Sequence, residues 1–571
     1  MTARGDDGGG PGAVPTVGLG LRWSFARELA DRLEAGTAAV GCVEIVPENY
    51  MLRHDGIRDA MARVAAHTRV LTHGLSANLA GTDPLDETYL RTLRAFVDEV
   101  GAAFHTDHLC VTAHRGACLH DLLPPIATPR EVRRVADRIR AVQDRLGRPL
   151  AVENVTTYLW PDDAMDPFEY VAQVVEAADC GLLLDLHNVN VMAENAGIDP
   201  AGALDRLPLA RVAYVHVAGG AYWNDLDTWV DTHGADVPDP VYGLLTVLFD
   251  RIDPVPVVYE RDSRMPPLDE ILHTCTRLSQ HLDGIVRKRR GRADPRTASR
   301  PAPDAEHVRT AGTPTPDRGR STHARVPATT DAETLERLDA LVRAVRRVGE
   351  DRAEADLARF LGAPPAGRRR RLAVYRRLVR GTFGSVLAAL LPKTRAARTP
   401  PAFDEDVACF LERVSTIPWS LRAVPAAFVE YCATPRWEDA PAVRAAAALD
   451  LAVAEAAVAP RGPPPEISLS PALAPDRPVV TCRSLRLAAG APSGAQPPQA
   501  IYRDAADQVR RIECSRRAFR LLADLAAGRS LLEAAPAWGR TPADLADLET
   551  FLRDMAARGV LLGTAAPRAN R

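Results

Sequence analysis

A short apolar, β-branched run followed by a helical stretch recurs about eight times between residues 16 and 282, a span close to the ~250 residues of a closed (β/α) barrel. The strand candidates are residues 17–21 (VGLGL), 41–46 (GCVEIV), 69–73 (RVLTH), 104–111 (FHTDHLCV), 149–155 (PLAVENV), 181–186 (GLLLDL), 211–217 (RVAYVHV) and 255–260 (VPVVYE). Helical stretches such as 24–35, 86–100, 129–146 and 167–178 separate them. A doubly wound open sheet is the rival arrangement. The barrel is preferred because it alone brings the polar strand ends described below to one mouth.

The remainder of the chain has a different texture. Residues 1–15 are Gly-rich and acidic and read as a disordered lead-in, with neither the basic start nor the apolar core of a signal peptide. The barrel domain is placed at 16–285. Residues 286–330, rich in Pro, Arg, Ser and Thr without hydrophobic period, read as a flexible linker. From 331 to 571 the chain is Ala-, Leu- and Arg-rich, with helical spacing at 335–361, 370–391, 403–414 and 443–458. Strand-like pieces follow at 466–469 and 478–485, and a compact helical end at 508–562 is compatible with a small winged-helix-like module. The expected class is therefore α/β, a TIM barrel joined to a mostly α-helical C-terminal domain.

A net charge of −3 gives no global basic field, so nucleic acid is not an expected partner. No apolar run reaches the ~18–20 residues of a membrane span, and a cytoplasmic location is expected. The nine cysteines are scattered singly with no CxxC pair, which argues for reduced thiols over a disulfide framework or a zinc ribbon. The fourteen histidines are more telling: none lies after His323. Imidazole chemistry, if present, belongs to the barrel.

From the third strand onward each strand candidate ends in a potential ligand. They are His73 (THGLS), His108 (TDHL), Glu153 with Asn154 (ENV), Asp185 with His187 and Asn188 (DLHNVN), His216 (HVAGG) and Glu260 (ERD), and the loop after His216 adds Asp231 and His233 (DTH). Singly, each has an ordinary structural explanation, as a hydrogen-bonded histidine, a helix N-cap or an Asx-turn. Jointly they would bury several polar groups at one barrel end without a neutralising partner, which metal ions supply. Imidazole and carboxylate without thiolate suit Zn, Mn or Fe, and so many donors call for two or three ions ~3.5–4 Å apart.

The order His73, His108, Glu153, Asp185, Asn188, His216, Asp231-x-His233, Glu260 resembles the trinuclear site of endonuclease IV and xylose-isomerase-like barrels, except that the nucleases have histidine where this chain has Asn188. The motifs EIVPENY, THGLS, DHL, ENV, DLHNV, HVAGG and ERD, across about residues 16–285, are similar to the multinuclear non-heme iron oxidative enzymes that include the methanobactin-biosynthesis oxidase. That resemblance implies two or three irons in mixed Fe(II)/Fe(III) states, O2 as co-substrate, and oxidative modification of cysteine or another residue of a ribosomally made precursor peptide. It implies the nine residues above as metal ligands, Asn188 included.

Beyond the ligands, His187 is expected to act next to the metal without ligating it, and Glu48, Asn49 and Asn154 to contact substrate. The C-terminal region, through ARFLGAPPAGRRRRLAVYRRLVRGTF and ISLSPALAPDRPVV, is similar to the leader-peptide-binding partners of that family. The chain then reads as a fusion needing no separate partner, with a docking module at high effective concentration beside the barrel. Removing everything after residue 330 is expected to spare the metal. The alternatives are a zinc phosphodiesterase of the endonuclease IV type, a divalent-metal sugar isomerase, and a non-catalytic DNA-binding regulator.

Overall fold

The computed structural model describes residues 16–292, 330–364, 367–433, 436–460, 469–470, 474–489 and 497–565. The expected lead-in at 1–15 lies outside the described residues, as does most of the expected linker. Two compact units emerge. The first combines the described residues up to Met51 with Ala60–Val379, and the second combines Leu52–Asp59 with those from Arg380 onward. Helices beyond residue 330 thus belong with the barrel, a division of the chain different from the one read along the sequence.

Eight parallel strands close the first unit's barrel: β1 (Val17–Gly20), β2 (Cys42–Ile45), β3 (Arg69–Gly74), β4 (His105–His108), β7 (Leu150–Glu153), β8 (Gly181–Asp185), β9 (Val212–Val217) and β12 (Val257–Tyr259). Closure comes from β1 pairing β12, with Val17 opposite Val257 and Gly18 opposite Val258. Cys42, Leu71, Leu183, Tyr214 and Val258 pack together as one cluster of buried barrel residues. The intervening helices begin and end on local signals. Asp86, Thr128 and Asp166 cap their helices' free N–H groups, and Gly101 and Gly147 end two of them in left-handed conformation.

Two β-hairpins interrupt the β–α alternation. One, β5 (Val111–His114) with β6 (Ala117–Leu123), follows β4; the other, β10 (Gly219–Trp223) with β11 (Thr228–Ala235), follows β9. The DTH segment, read from sequence as a loop, lies on β11. The helix Leu268–Arg292 also overruns the expected linker start at 286, because buried Leu282, Ile285 and Val286 continue its inward stripe.

Three helices complete the first unit: Ala332–Arg346, Glu350–Leu361 and the part of Arg369–Leu390 up to Val379. Asp339 accepts from His114 at 2.6 Å, and the Arg337 guanidinium forks onto Asp163 at 2.8 and 2.9 Å. The second unit has helices Pro392–Ala397, Pro400–Arg413, Val424–Ala433 and Pro441–Val458. Buried Asp406 there gathers Arg398, Arg436 and the Trp437 indole N–H. Two three-stranded antiparallel sheets and the helices Arg516–Ala526, Leu531–Ala534 and Pro542–Ala557 form its end. The start of that end, expected to be helical from Gln508, is instead the strand Val509–Glu513, paired to Gln499–Arg503 across the Asp504–Asp507 turn. Among the described residues no helix is long and apolar enough to cross a membrane.

Candidate metal centre

The C-terminal ends of β3, β4, β7, β8, β9 and β12 converge, and β11 folds over them. His73 and His108 present their Nε2 atoms to Glu153 Oε2 at 2.9 and 3.2 Å and lie 3.2 Å from each other. The far ring nitrogens are anchored: His73 Nδ1 bonds Thr106 Oγ1 at 2.8 Å, and His108 Nδ1 donates to Gly74 O at 3.0 Å. Holding one nitrogen fixes the ring and aims the other inward.

The second oxygen of Glu153 faces a different group. His216 Nδ1 lies 3.8 Å from Glu153 Oε1, 3.8 Å from Asp185 Oδ2 and 2.9 Å from Glu260 Oε2. Glu153 therefore offers one oxygen to each of two donor groups, the geometry of a bridging carboxylate. His233 extends the array, with Nε2 2.8 Å from Asp231 Oδ1 and Nδ1 3.2 Å from Glu260 Oε2. Its backbone has φ of 43°, a left-handed conformation that a non-glycine residue adopts only when its surroundings impose it. Among the described residues, groups of donors within 4.8 Å of one another are His73–His108–Glu153, Glu153–Asp185–His216, Asp185–His233–Glu260, His187–Asp231–His233 and Glu44–His216–Glu260.

Charge and hydrogen bonding test whether cations fit. Six carboxylates (Glu44, Glu153, Asp185, Asp231, Glu260 and Asp262) surround one permanent cation, Arg22, which donates to Glu260 Oε1 at 3.0 Å and to Asp262. Burial lowers the proton affinity of His73, but Glu153 outweighs it and carries the ring up to about 9. Burial likewise opposes protonation of His216 and His233, yet Glu44 and Glu260 around the first, and Asp231 and Glu260 around the second, push both well above the usual imidazole range. Burial drives Asp185 well above the usual carboxylate range, whereas it is overcome at Glu153 by His108 and His73, which hold that group low. Glu153 Oε2, Asp185 Oδ2, Asp231 Oδ1, His216 Nδ1, His233 Nε2 and both His187 nitrogens are buried and, despite their short mutual distances, are not aligned for hydrogen bonds. Orphaned donor atoms aimed at common points are costly unless something electropositive completes them. A set of divalent or trivalent ions fits.

Not every expected role matches the placement. Asn188 reaches the centre, but its Oδ1 accepts from Thr156 at 2.7 Å and its Nδ2 donates to Glu153 Oε1 at 3.3 Å, so it approaches as a donor rather than with its oxygen. A half-turn of the amide exchanges those roles. Asn154, expected at the substrate, is instead spent on the backbone: Oδ1 accepts from Asp185 N and Nδ2 donates to Asp185 O, both at 2.9 Å, which fixes the ligand-bearing turn. Glu48 accepts from Leu75 N at 2.8 Å and Tyr89 OH at 2.6 Å, bracing the loop after β3; Asn49 sits half-buried beside it. His187 was expected behind the ligands, but it stands with them, 3.5 Å from Asp231 Oδ1, and burial lowers it to about 4, so it is neutral at pH 7. Gly220 of HVAGG makes the room, since a Cβ there would lie 2.7 Å from His187 Nε2.

Sequence reasoning missed Arg22, Glu44 and Asp262. Glu44 Oε2 accepts from Tyr214 OH at 2.6 Å and pairs with His216 Nε2 at 2.7 Å. Because the two imidazole nitrogens point apart, Glu44 orients His216 from behind. Its signal was a carboxylate inside the apolar run CVEI, and that of Arg22 was a lone charge between Leu21 and Trp23.

A parallel barrel with crowded histidines and carboxylates at its strand ends defines the class as barrels with a candidate multinuclear metal centre. Residues 16–283 match the family described as RiPP precursor modification enzyme MbnB/TglH/ChrH, RiPP denoting a ribosomally made, post-translationally modified peptide. A UPF0276 protein of Shewanella amazonensis is 36% identical over 274 residues, covering 48% of this chain and 97% of the relative. A UPF0276 protein of Pseudomonas aeruginosa strain UCBPP-PA14 is 38% identical over 268 residues, 47% of this chain and 92% of the relative. A xylose isomerase domain protein from Planctomyces limnophilus aligns with TM-score 0.34 and 13% identity over 48% of this chain and 99% of its own. The chain belongs to the MbnB/TglH/ChrH family and is an enzyme of RiPP precursor modification on a barrel of TIM type.

Proposed function

We propose that the barrel is an iron- and O2-dependent oxidase that modifies a residue, cysteine foremost, of a ribosomally made precursor peptide, and that the C-terminal region binds that precursor's leader. The observation that carries the reading is the set of buried imidazole and carboxylate atoms at the barrel mouth that make no hydrogen bond, grouped, among the described residues, without a cysteine. His73, His108, Glu153, Asp185, His216, Asp231, His233 and Glu260 would hold the ions, with His187 as a further donor and Asn188 beside them. Bound iron would supply redox chemistry with O2 and would favour the thiolate form of a substrate cysteine.

The chain's own groups have separate tasks. Glu153 spans two donor groups and keeps them at a set spacing. Glu44 and Thr106 fix ring directions, and Asn154 fixes the Asp185 turn. Arg22 balances buried Glu260, which can then stay ionised, and reaches the exposed Asp262 with the same guanidinium. His187, neutral at pH 7, can accept a proton from Nδ1 or Nε2 contacts when it is not ligating.

The test is purification without oxygen, metal analysis, and incubation with O2 and the small cysteine-containing peptide encoded beside the gene. Iron together with an O2-dependent mass change of the peptide supports the reading. Stoichiometric zinc with phosphodiester cleavage, or sugar isomerisation, overturns it.

A further inference from the structure

We propose that the helix beginning at Arg369 is a clasp that positions the Asp231 and His233 strand, with Tyr375 as its central positioning residue. The inference rests on the metal reading of the barrel mouth. Asp231 and His233 do not lie on a barrel strand; they lie on β11 of a hairpin whose position is not set by the closed sheet. The segment after β12 holds one end of β11, with Asp262 N–H donating to His233 O at 2.8 Å and Ser263 Oγ to Thr232 O at 3.0 Å, and the rest of the hairpin needs further contacts.

Three contacts within the first unit supply them, all from one stretch of that helix, Arg371 to Arg377. Tyr375, fully buried, accepts from the Tyr158 backbone N–H at 3.1 Å, and the two rings meet edge to face with centroids 5.3 Å apart. Tyr158 in turn accepts at its hydroxyl from the Asp231 backbone N–H at 3.0 Å. One turn earlier, Arg371 donates to Asn195 O at 3.2 Å, and the Asn195 side chain brackets Trp229 of β11 with two 2.9 Å bonds, to its N–H and its C=O. Half a turn later, Arg377 lies over the Trp223 ring of β10, 4.7 Å from its centroid, and pairs with Asp225 in the hairpin turn. The helix therefore grips both strands and the turn of the ligand-bearing hairpin. Tyr158 is the strictest link, because the hydrogen bond it accepts comes from the peptide of a candidate ligand itself.

A second consequence reverses the expectation that residues after 330 are dispensable for metal. They supply the groups that hold β11, and the C-terminal half becomes part of the metal centre's construction as well as a place for peptide docking.

The test uses the full-length protein freed of metal with a chelator and then titrated with Co2+, whose visible absorption reports ligand geometry while chelator competition reports affinity. Tyr375→Phe and Tyr158→Phe each remove one oxygen and keep the ring. Each is expected to weaken the most loosely held Co2+ about five- to tenfold and to alter its visible band, at an unchanged far-UV spectrum. The double variant should be no weaker than the weaker single one, because both act through one chain of contacts. Wild-type band and affinity within twofold in Tyr375→Phe, or independent additive losses in the double variant, overturn the clasp. If Tyr375→Phe fails to fold, Tyr158→Phe carries the same comparison. No Co2+ uptake by the wild-type protein removes the metal reading itself, an outcome distinct from unchanged variants.

Discussion

Replacing Glu44 by Gln keeps the shape of the side chain and removes its charge. Tyr214 OH at 2.6 Å and His216 Nε2 at 2.7 Å both meet the same oxygen, Glu44 Oε2, and that oxygen becomes a neutral amide acceptor in place of an ionised one. Losing a carboxylate behind a metal-binding histidine lowers metal affinity by roughly 10–100-fold, or about 1.4–2.7 kcal/mol. A second effect has the opposite sign. Burial lowers His216, but Glu44 leads the groups that hold it well above the usual imidazole range, so in metal-free wild-type protein a proton competes with the ion. Without Glu44 that competition weakens, and at pH 6 the gain offsets part of the loss. As pH rises the proton matters less and the loss of orientation stands alone. The expected result is a Glu44→Gln deficit in Co2+ or Zn2+ affinity, measured by chelator competition, that is larger at pH 8.5 than at pH 6. Equal affinities within twofold at pH 8.5 would refute the assignment of Glu44 as the orienting group, and a deficit that shrinks with pH would refute the sign.

Four further outcomes follow from the same geometry. With His73 raised to about 9 and His216 and His233 held well above the usual imidazole range by the carboxylates around them, the metal-free centre carries protons at pH 7. Metal uptake should therefore release protons, and affinity should climb with pH up to about 9; calorimetry in buffers of different ionisation enthalpy measures this, and zero release contradicts it. Arg22→Met leaves Glu260 and Asp262 without their guanidinium, with an expected cost of about 3 kcal/mol in the metal-free protein by thermal or urea unfolding; a loss below ~1 kcal/mol counts against the role. Gly220→Ala puts a methyl 2.5 Å from Val230 O and 2.7 Å from His187 Nε2, so it should cost about 1–3 kcal/mol and lower retained metal, whereas a neutral outcome means that β10 yields freely. His108→Ala and Asp231→Asn should each reduce iron content on mass spectrometric metal analysis, with unchanged content excluding that side chain as a ligand.

The barrel was legible because its strands are buried on both faces and so appear as compact apolar runs. Expected and observed strands differ by at most three residues at their ends, most at 104–111, whose last residue, Val111, begins the first hairpin. The hairpins were not legible. Asp231 and His233 sit in TWVDTHGA, whose polar alternation looks like a loop until a partner strand is known. The same limit applied to Val509–Glu513, where the adjacent exposed Arg510 and Arg511 break the alternation a strand would show. Strand-end histidines and carboxylates stood out as a series, but a series shows membership and not direction. Which nitrogen faces inward depends on Thr106, Gly74 and Glu44, partners far away in sequence. Asn154 shows the converse: its ENV motif suggested a substrate contact, and only the position of the Asp185 peptide reveals where both ends of the amide go.

Glu153 has one oxygen toward His73 and His108 and the other toward His216 and Asp185, so on the proposed metal reading the filling of the two places would be a linked equilibrium. An ion arriving at either one freezes the carboxylate in the orientation the other requires and reduces the repulsion felt by its neighbours. Loading should then be cooperative, with half-filled molecules scarce at intermediate metal supply. A cell short of metal would hold a mixture of complete and empty enzymes rather than a uniform population of impaired ones.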